Sequence, residues 1–176
     1  MSRYALRALF GAVVAVPLVW TGAASATPQI TGSQSFHGFL LVDGTHGQRD
    51  VVKSPIVARG IFDGVGRIVE VASRPGDPDN LNRDDLVFRV GTMHIVSKNL
   101  RSTFSLDPKT CRLRAHVDQK SRVTGGTRAF RDAFGSFRAT VDASARLARK
   151  ADGTCNDRAA PLRERDVVAA TGHLTY

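Results

Sequence analysis

The sequence predicts an all-β domain whose strands pair antiparallel, as a sandwich or as a barrel. Apolar and polar residues alternate along most of the chain, whereas apolar residues rarely recur at helical spacing. Turn-forming residues separate the alternating segments at short intervals. An alternation of period two places one face of a strand on a core and the other face in water.

The alternation is clearest in residues 111–123 and 137–147. Apolar side chains occupy most odd positions of both segments, while arginine, histidine and other polar residues occupy the even positions. Further candidate strands are residues 35–43, 54–62, 65–72, 86–97, 102–106 and 165–176. Glycines inside these segments predict the bulges and bends that a curved sheet needs. Residues 75–85 are predicted to form a polar loop, and residues 107–110 a tight turn.

Residues 1–26 have the pattern of a secretory signal peptide. Two arginines precede an uncharged run at residues 8–20, and small residues follow it up to an A-x-A sequence that ends at Ala26. The run is shorter than the roughly 20 strongly apolar residues of a membrane-spanning helix. We therefore expect cleavage between Ala26 and Thr27, export from the cell to an extracellular location, and one domain formed by residues 27–176.

The remaining chain contains two cysteines, Cys111 and Cys155. In an exported protein an even number of cysteines predicts a disulfide, and two cysteines allow one pairing. Closing a loop of this length stabilises a fold by about 4 kcal/mol at most. The alternative is a zinc site, but neither a C-x-x-C spacing nor paired histidines accompany the cysteines. We expect a disulfide and no bound metal.

Residues 123–137 contain a glycine pair, Gly125-Gly126, between the two clearest strands. A phosphate-binding loop needs a lysine after its second glycine, and this chain has none there. The glycines can instead adopt the positive φ of a turn. Phe130, Ala133 and Phe134 then share one side of a single helical turn, which predicts an aromatic plug at one end of the sheet. Three polar neighbours of the buried phenylalanines are expected to stay in water: Arg128, Arg131 and Asp132.

The same stretch resembles the GGTGxFxxAxGxx turn of allene oxide cyclase-like and dirigent-like barrels. Residues 58–66, 85–92, 107–111 and 152–155 extend the resemblance to a family of small secreted bacterial proteins with that barrel and no established activity. The chain departs from the pattern at Arg128, where the family prefers glycine, and at Asp132-Ala133, which changes the geometry of the turn. The resemblance implies a closed, lipocalin-like antiparallel barrel of about eight strands. We expect no cofactor.

A barrel of this kind is expected to bind a small apolar ligand in its interior. The candidate lining residues are Phe62, Phe88, Met93, His94 and Phe104. The alternative is a cofactor-independent cyclase or isomerase, in which the cavity shapes the substrate and His94 polarises it. The sequence contains no assignable Ser/His/Asp arrangement, so it identifies no catalytic residue.

Positive charge is concentrated in residues 101–150, which contain twelve Lys and Arg and four Asp. Six of these cations lie on the polar faces of the two clearest strands: Arg112, Arg114, Lys120, Arg122, Arg138 and Arg146. Such a face could meet an anionic polymer or a membrane surface, which makes a polyanion-binding surface protein a third functional class. Solubility and a general richness in arginine explain the same charges more simply.

Overall fold

The computed structural model describes residues 29–45 and 47–176, in which nine strands and one short helix are found. The strands are β1 (Thr31–Asp43), β2 (Asp50–Lys53), β3 (Pro55–Gly60), β4 (Gly64–Val71), β5 (Leu81–Phe88), β6 (Gly91–Asp107), β7 (Arg112–Gly126), β8 (Phe134–Arg146) and β9 (Arg163–Thr175). The 3-10 helix η1 (Arg128–Phe130) lies between β7 and β8. The signal peptide predicted for residues 1–26 and its cleavage site at Ala26 and Thr27 lie outside the described residues.

Eight of the strands form a closed antiparallel barrel, as the resemblance implied. Each strand from β3 to β9 pairs with the next, β3 pairs with β1, and β1 pairs with β9 along its whole length, from Thr31 opposite Thr175 to Asp43 opposite Arg163. β2 is the ninth strand and pairs with the last residues of β1, next to β3. The closure of the sheet on itself excludes the sandwich alternative.

The two clearest predicted strands correspond to β7 and β8. The prediction of one strand at residues 86–97 is wrong, because β5 ends at Phe88 and β6 begins at Gly91, where a φ of 153° allows a tight hairpin. Residues 102–106 are not a separate strand but part of β6, which continues through a bulge at residues 99–101. The polar loop predicted up to residue 85 is shorter, because β5 already begins at Leu81.

The plug is present, but only one of its two predicted phenylalanines is buried. Phe130 is fully buried, with Ala133 beside it in the same core cluster. Phe134 is 54% exposed, because it is already the first residue of β8. The alternation of that strand points Phe137 inward and therefore turns Phe134 outward. Three polar residues remain exposed as predicted: Arg128, Arg131 and Asp132.

Aromatic rings around Phe130 close this end of the barrel. The ring centroid of Phe130 lies 5.1 Å from that of Phe62, 5.4 Å from that of Tyr176 and 6.1 Å from that of Phe88. The predicted positive φ is found at Gly125, with a value of 115°. The second glycine, Gly126, allows the strands to approach closely, because a Cβ there would collide with the backbone oxygens of Thr92 and Phe130.

The disulfide between Cys111 and Cys155 is confirmed, with the two Cα atoms 5.4 Å apart. It lies at the opposite end of the barrel from the plug, just before the first residue of β7. Together with Leu147 and Leu113 the two cysteines form a second, smaller apolar cluster that is separate from the main core. The disulfide therefore fastens the loop after β8 to the turn between β6 and β7.

Candidate functional site: an acidic cavity at the open end

The barrel is not filled at the end away from the plug. A cavity of about 300 Å³ lies there, above a floor that includes the edge-to-face pair of Phe36 and Phe137, whose ring centroids are 5.3 Å apart. Apolar side chains at inward positions of the strands form its wall: Leu40, Ile56, Ile68, Leu86, Ile95, Ala139, Val141, Val168 and Ala170. The lower part of the cavity is therefore suited to an apolar molecule.

A belt of uncharged polar side chains lies on one side of the cavity. The hydroxyl oxygens of Ser97 and Ser121 are 2.8 Å apart and form a buried hydrogen bond. Gln119 and Asn82 donate to the same oxygen of Asn99, at 2.8 and 3.1 Å. Because these groups bond to one another, their buried polar atoms do not depend on a ligand.

Three carboxyl groups line the mouth of the cavity: Glu70 on β4, Asp84 on β5 and Asp166 on β9. Each occupies an inward position, two residues from a side chain that lines the apolar wall, as Asp84 is from Leu86. Glu70 and Asp84 are directly opposite each other on adjacent strands. Like charges in such positions repel, so the mouth concentrates negative charge at a cost in stability.

Asp166 is the most deeply buried of these carboxyl groups, with 8% of its surface exposed. Its Oδ1 atom is buried and has no hydrogen-bond partner among the described residues. Desolvation, together with the charge of Glu164 and a hydrogen bond to it, raises the pKa of Asp166 to about 7. Near neutral pH this carboxyl group is therefore present in both protonation states.

Asp84 has neither a hydrogen bond nor an ion pair to another described residue. Burial, reinforced by the charges of Glu70 and Asp85, raises its pKa to about 6. The cavity mouth thus contains a second buried carboxyl group with a raised pKa, and no cation among the described residues pairs with it.

Arg49 covers the mouth from the loop between β1 and β2. Its guanidinium bonds to Glu70, approaches Glu164 with Nε 3.2 Å from Oε2, and lies 3.6 Å from Oδ2 of Asp166. Burial alone would lower the pKa of Arg49, but the hydrogen bonds to Glu164 and Glu70 raise it above its ordinary value. The side chain is still about one-third exposed, so it lies at the boundary between cavity and solvent.

The structure places none of the five predicted lining residues in this cavity. Phe62 and Phe88 pack against the plug, and Met93 is fully buried in the main core. His94 points outward, because its neighbours on β6 point inward, and its Nδ1 lies 2.7 Å from Oδ1 of Asp85. Phe104 is 68% exposed on the part of β6 that extends beyond β5.

The sequence analysis missed the acidic residues of the mouth, although they carry a detectable signal. Glu164 and Asp166 continue the alternation of Val168 and Ala170, so they stand where apolar residues are expected. Asp84 stands in the same relation to Leu86, but it was assigned to a loop. Acidic residues in the apolar register of a strand predict inward-facing carboxyl groups.

Comparison of the chain with models of protein families, with curated proteins and with solved structures found no match. Within residues 29–45 and 47–176, no three His, Cys, Asp or Glu side chains are arranged to hold a metal ion. The same residues include no helix with the length and apolar character needed to cross a membrane.

The arrangement combines two chemistries. An apolar floor retains a hydrocarbon or aromatic group, while the mouth offers carboxyl oxygens that accept hydrogen bonds and attract cations. A carboxyl group that titrates near neutral pH can also donate or accept a proton.

Proposed function

We propose that the chain is a secreted barrel protein that binds a small, mainly apolar molecule with one cationic, hydrogen-donating end. Secretion is supported by the disulfide and by the pattern of residues 1–26. The observation that carries the binding proposal is Asp166, a buried carboxyl group with an unpartnered oxygen at the edge of an otherwise apolar cavity. Buried polar atoms are normally hydrogen-bonded, so a ligand donor is the missing partner.

The charge of the mouth favours a cation over an anion. Glu164 lies beside the three carboxyl groups that line the mouth, and Arg49 contacts Glu70, Glu164 and Asp166. Arg83 also lines the cavity, but its charge is paired with Asp77, with Nε 2.7 Å from Oδ2. Above the pKa of about 6 for Asp84 the mouth is net negative. An ammonium group that enters beside Asp166 compensates this carboxyl group for the water that it lost on burial, whereas a carboxylate would be repelled.

Binding can be measured with N-phenylnaphthylamine, a neutral dye that fluoresces in apolar surroundings. We expect the protein to enhance its fluorescence, and octylamine to displace it at lower concentration than octanol, with octanoate the weakest competitor. Ala170→Leu should abolish the signal, because the larger side chain fills the cavity. Ala169→Leu is the matched control, since this neighbour on β9 points to the outer face.

Two results would contradict the proposal in different ways. Equal dye binding by the Ala170→Leu and Ala169→Leu variants would exclude the cavity as the site. Displacement by octanoate as effective as displacement by octylamine would leave apolar binding intact but refute the role of the carboxyl groups.

A cofactor-independent isomerase or cyclase is the second candidate, and the proximity of Asp166 and Glu164 favours it. Burial, together with the adjacent charge of Glu164, raises the pKa of Asp166 to about 7, so a proton is available near neutral pH within an apolar cavity. His94, the polarising group first expected, lies outside the barrel and takes no part in this candidate.

The base-catalysed ring opening of nitrobenzisoxazole tests proton transfer without knowledge of the natural substrate. Catalysis by the cavity should rise as the pH passes about 7, the pKa of Asp166, and should disappear in Asp166→Asn. A rate unchanged by that substitution would exclude Asp166 as a base.

A further inference from the structure

Arginines from three neighbouring strands meet on the outer face of the open end. Arg112 on β7 is directly opposite Arg146 on β8, which is directly opposite Arg163 on β9. Two residues further along the strands, Arg114 and Arg165 flank Ser144 in the same way. All five arginines are exposed, and we call them the arginine ladder.

Two carboxyl groups flank the five arginines of the ladder and do not balance their charge: Asp43 on β1 is directly opposite Arg163, and Asp107 on β6 is directly opposite Arg112. None of these arginines forms an ion pair with another described residue, and Arg165 contacts only the ring of Phe39, at 5.5 Å from the centroid. Asp107, opposite Arg112, is already bonded to Thr110 and to the backbone of Lys109. Like charges at directly opposite positions destabilise a sheet, and an anion placed between them reverses that effect.

The ladder lines a concave surface. A groove of about 680 Å³ contains all five arginines, and its lining also includes two carboxyl groups, those of Asp43 and Glu164, so cations outnumber anions in it. Guanidinium groups form paired hydrogen bonds with oxyanions, and several at strand spacing, about 5 Å apart, can grip one tetrahedral group from different sides. The groove therefore provides both positive charge and an arrangement of guanidinium groups that suits a tetrahedral anion.

The positive surface does not continue along the barrel. His116 bonds to Asp142 at 2.6 Å and lies 3.5 Å from Asp118, so these acidic residues interrupt the outer face of β7 and β8. Beyond them, Lys120, Arg122 and Arg138 form a second basic patch, with Thr171 rather than an arginine opposite Arg138 on β9. A long polyanion on this face would have to cross the carboxylates, whereas a compact anion would not.

We propose that the arginine ladder is a binding site for a compact, multiply charged oxyanion of the phosphate or sulfate class. The ladder arginines on β9 alternate with Asp166, which lines the cavity, so their side chains leave the opposite face of the sheet. The site needs no ligand in the barrel interior, although Glu164 lines this groove and also bonds to Arg49 at the cavity mouth.

Calorimetric titration with inorganic pyrophosphate, at a constant ionic strength of about 0.15 M, tests the site. We expect saturable binding, and a loss of affinity of at least about tenfold in the triple variant Arg112→Gln/Arg146→Gln/Arg163→Gln. The matched control, Lys120→Gln/Arg122→Gln/Arg138→Gln, removes the same charge from the second patch and should weaken binding less than about threefold. A parallel titration with sulfate distinguishes the two anion chemistries.

Thermal melting tests whether a loss of affinity in the variants results from misfolding. Without anion the ladder variant should melt at or above the temperature of the parent, because repulsion between opposite arginines has been removed. Pyrophosphate should raise the melting temperature of the parent and of the control variant, but not that of the ladder variant.

Equal loss of affinity in the two triple variants, or no saturable binding by the parent, would overturn the proposal. Binding of long-chain polyphosphate alone, weakened equally by both triple variants, would also overturn it in favour of a polymer-binding face.

Discussion

The two ends of the barrel are built from the same strands but are closed by opposite means. At the closed end Phe130 and the surrounding rings pack into a continuous apolar core. At the open end Arg49 bridges carboxyl groups above a cavity. Packing at the closed end stabilises the fold, whereas the repelling and desolvated carboxyl groups of the open end oppose it. The open end is therefore the less stable of the two, which is consistent with the binding role proposed for it.

The closed end should respond most strongly to truncation. We expect Phe130→Ala to lower the free energy of unfolding by about 3–5 kcal/mol, because it leaves a cavity in a fully buried site. Phe134→Ala is the matched control and should cost less than about 1 kcal/mol, since that ring is mainly exposed. Urea unfolding of the two variants measures both values. Equal losses would show that the plug is not the principal closure.

Loss of the disulfide should lower the free energy of unfolding almost as much, although the disulfide is at the open end. Replacing Cys111 and Cys155 together by serine should lower the free energy of unfolding by up to about 4 kcal/mol, because the unfolded chain gains the freedom of a 44-residue loop. Thiol counting on the unfolded, unreduced parent should find no free thiol. Two free thiols, or a double variant as stable as the parent, would contradict this expectation.

Asp166→Asn should stabilise the protein, which distinguishes the open end from the closed one. Because the pKa of Asp166 is raised to about 7, the folded state keeps a proton that the unfolded state releases above about pH 4. Stability contributed by this group is present below about pH 4 and is lost as the pH rises towards about 7.

The Asp166→Asn variant has no carboxyl group to lose a proton. Its free energy of unfolding should therefore exceed that of the parent by about 1–2 kcal/mol at about pH 8, and the difference should be close to zero at about pH 4. Asp79→Asn, in an exposed loop, should behave like the parent at both values. Denaturant unfolding at the two pH values provides the measurement. A gain that does not depend on pH would exclude titration of Asp166 as its cause.

The smallest effect is expected for Arg49→Gln, about 1 kcal/mol of destabilisation at about pH 8. Removal of the guanidinium leaves Glu70 and Glu164 without their cation. The loss should shrink at about pH 5, where the raised pKa values keep Asp84 and Asp166 protonated.

Arg67→Gln, an exposed substitution on β4, is the control for loss of one positive charge. In the Asp166→Asn background the effect of Arg49→Gln should also decrease, because the two side chains share one network. Strict additivity in this double-mutant cycle would show that they act separately.

The fold was predictable because alternation is a local property. The strands at residues 111–123 and 137–147 and the disulfide could be predicted from neighbouring residues and from the cysteine count. The acidic residues of β9 have a local signal in the alternation of that strand, but the cavity could not be predicted, because its lining comes from strands far apart in the sequence. The direction of His94 depends on the hairpin at Gly91, and the cavity depends on β9 lying beside β1. Phe134 was mispredicted for a similar reason. Helical spacing places its side chain in the core, whereas the alternation of β8 places it in solvent.

Pairing between β1 and β9 has a consequence for how the barrel is assembled. These strands are the first and the last of the barrel, and they are in register from Thr31 and Thr175 to Asp43 and Arg163. Until they meet, both present unpaired backbone groups to other chains, which is a recognised route to aggregation. Contacts so distant in sequence are slow to form. We therefore expect conditions that slow the pairing of β1 with β9 to favour association between chains over closure of the barrel.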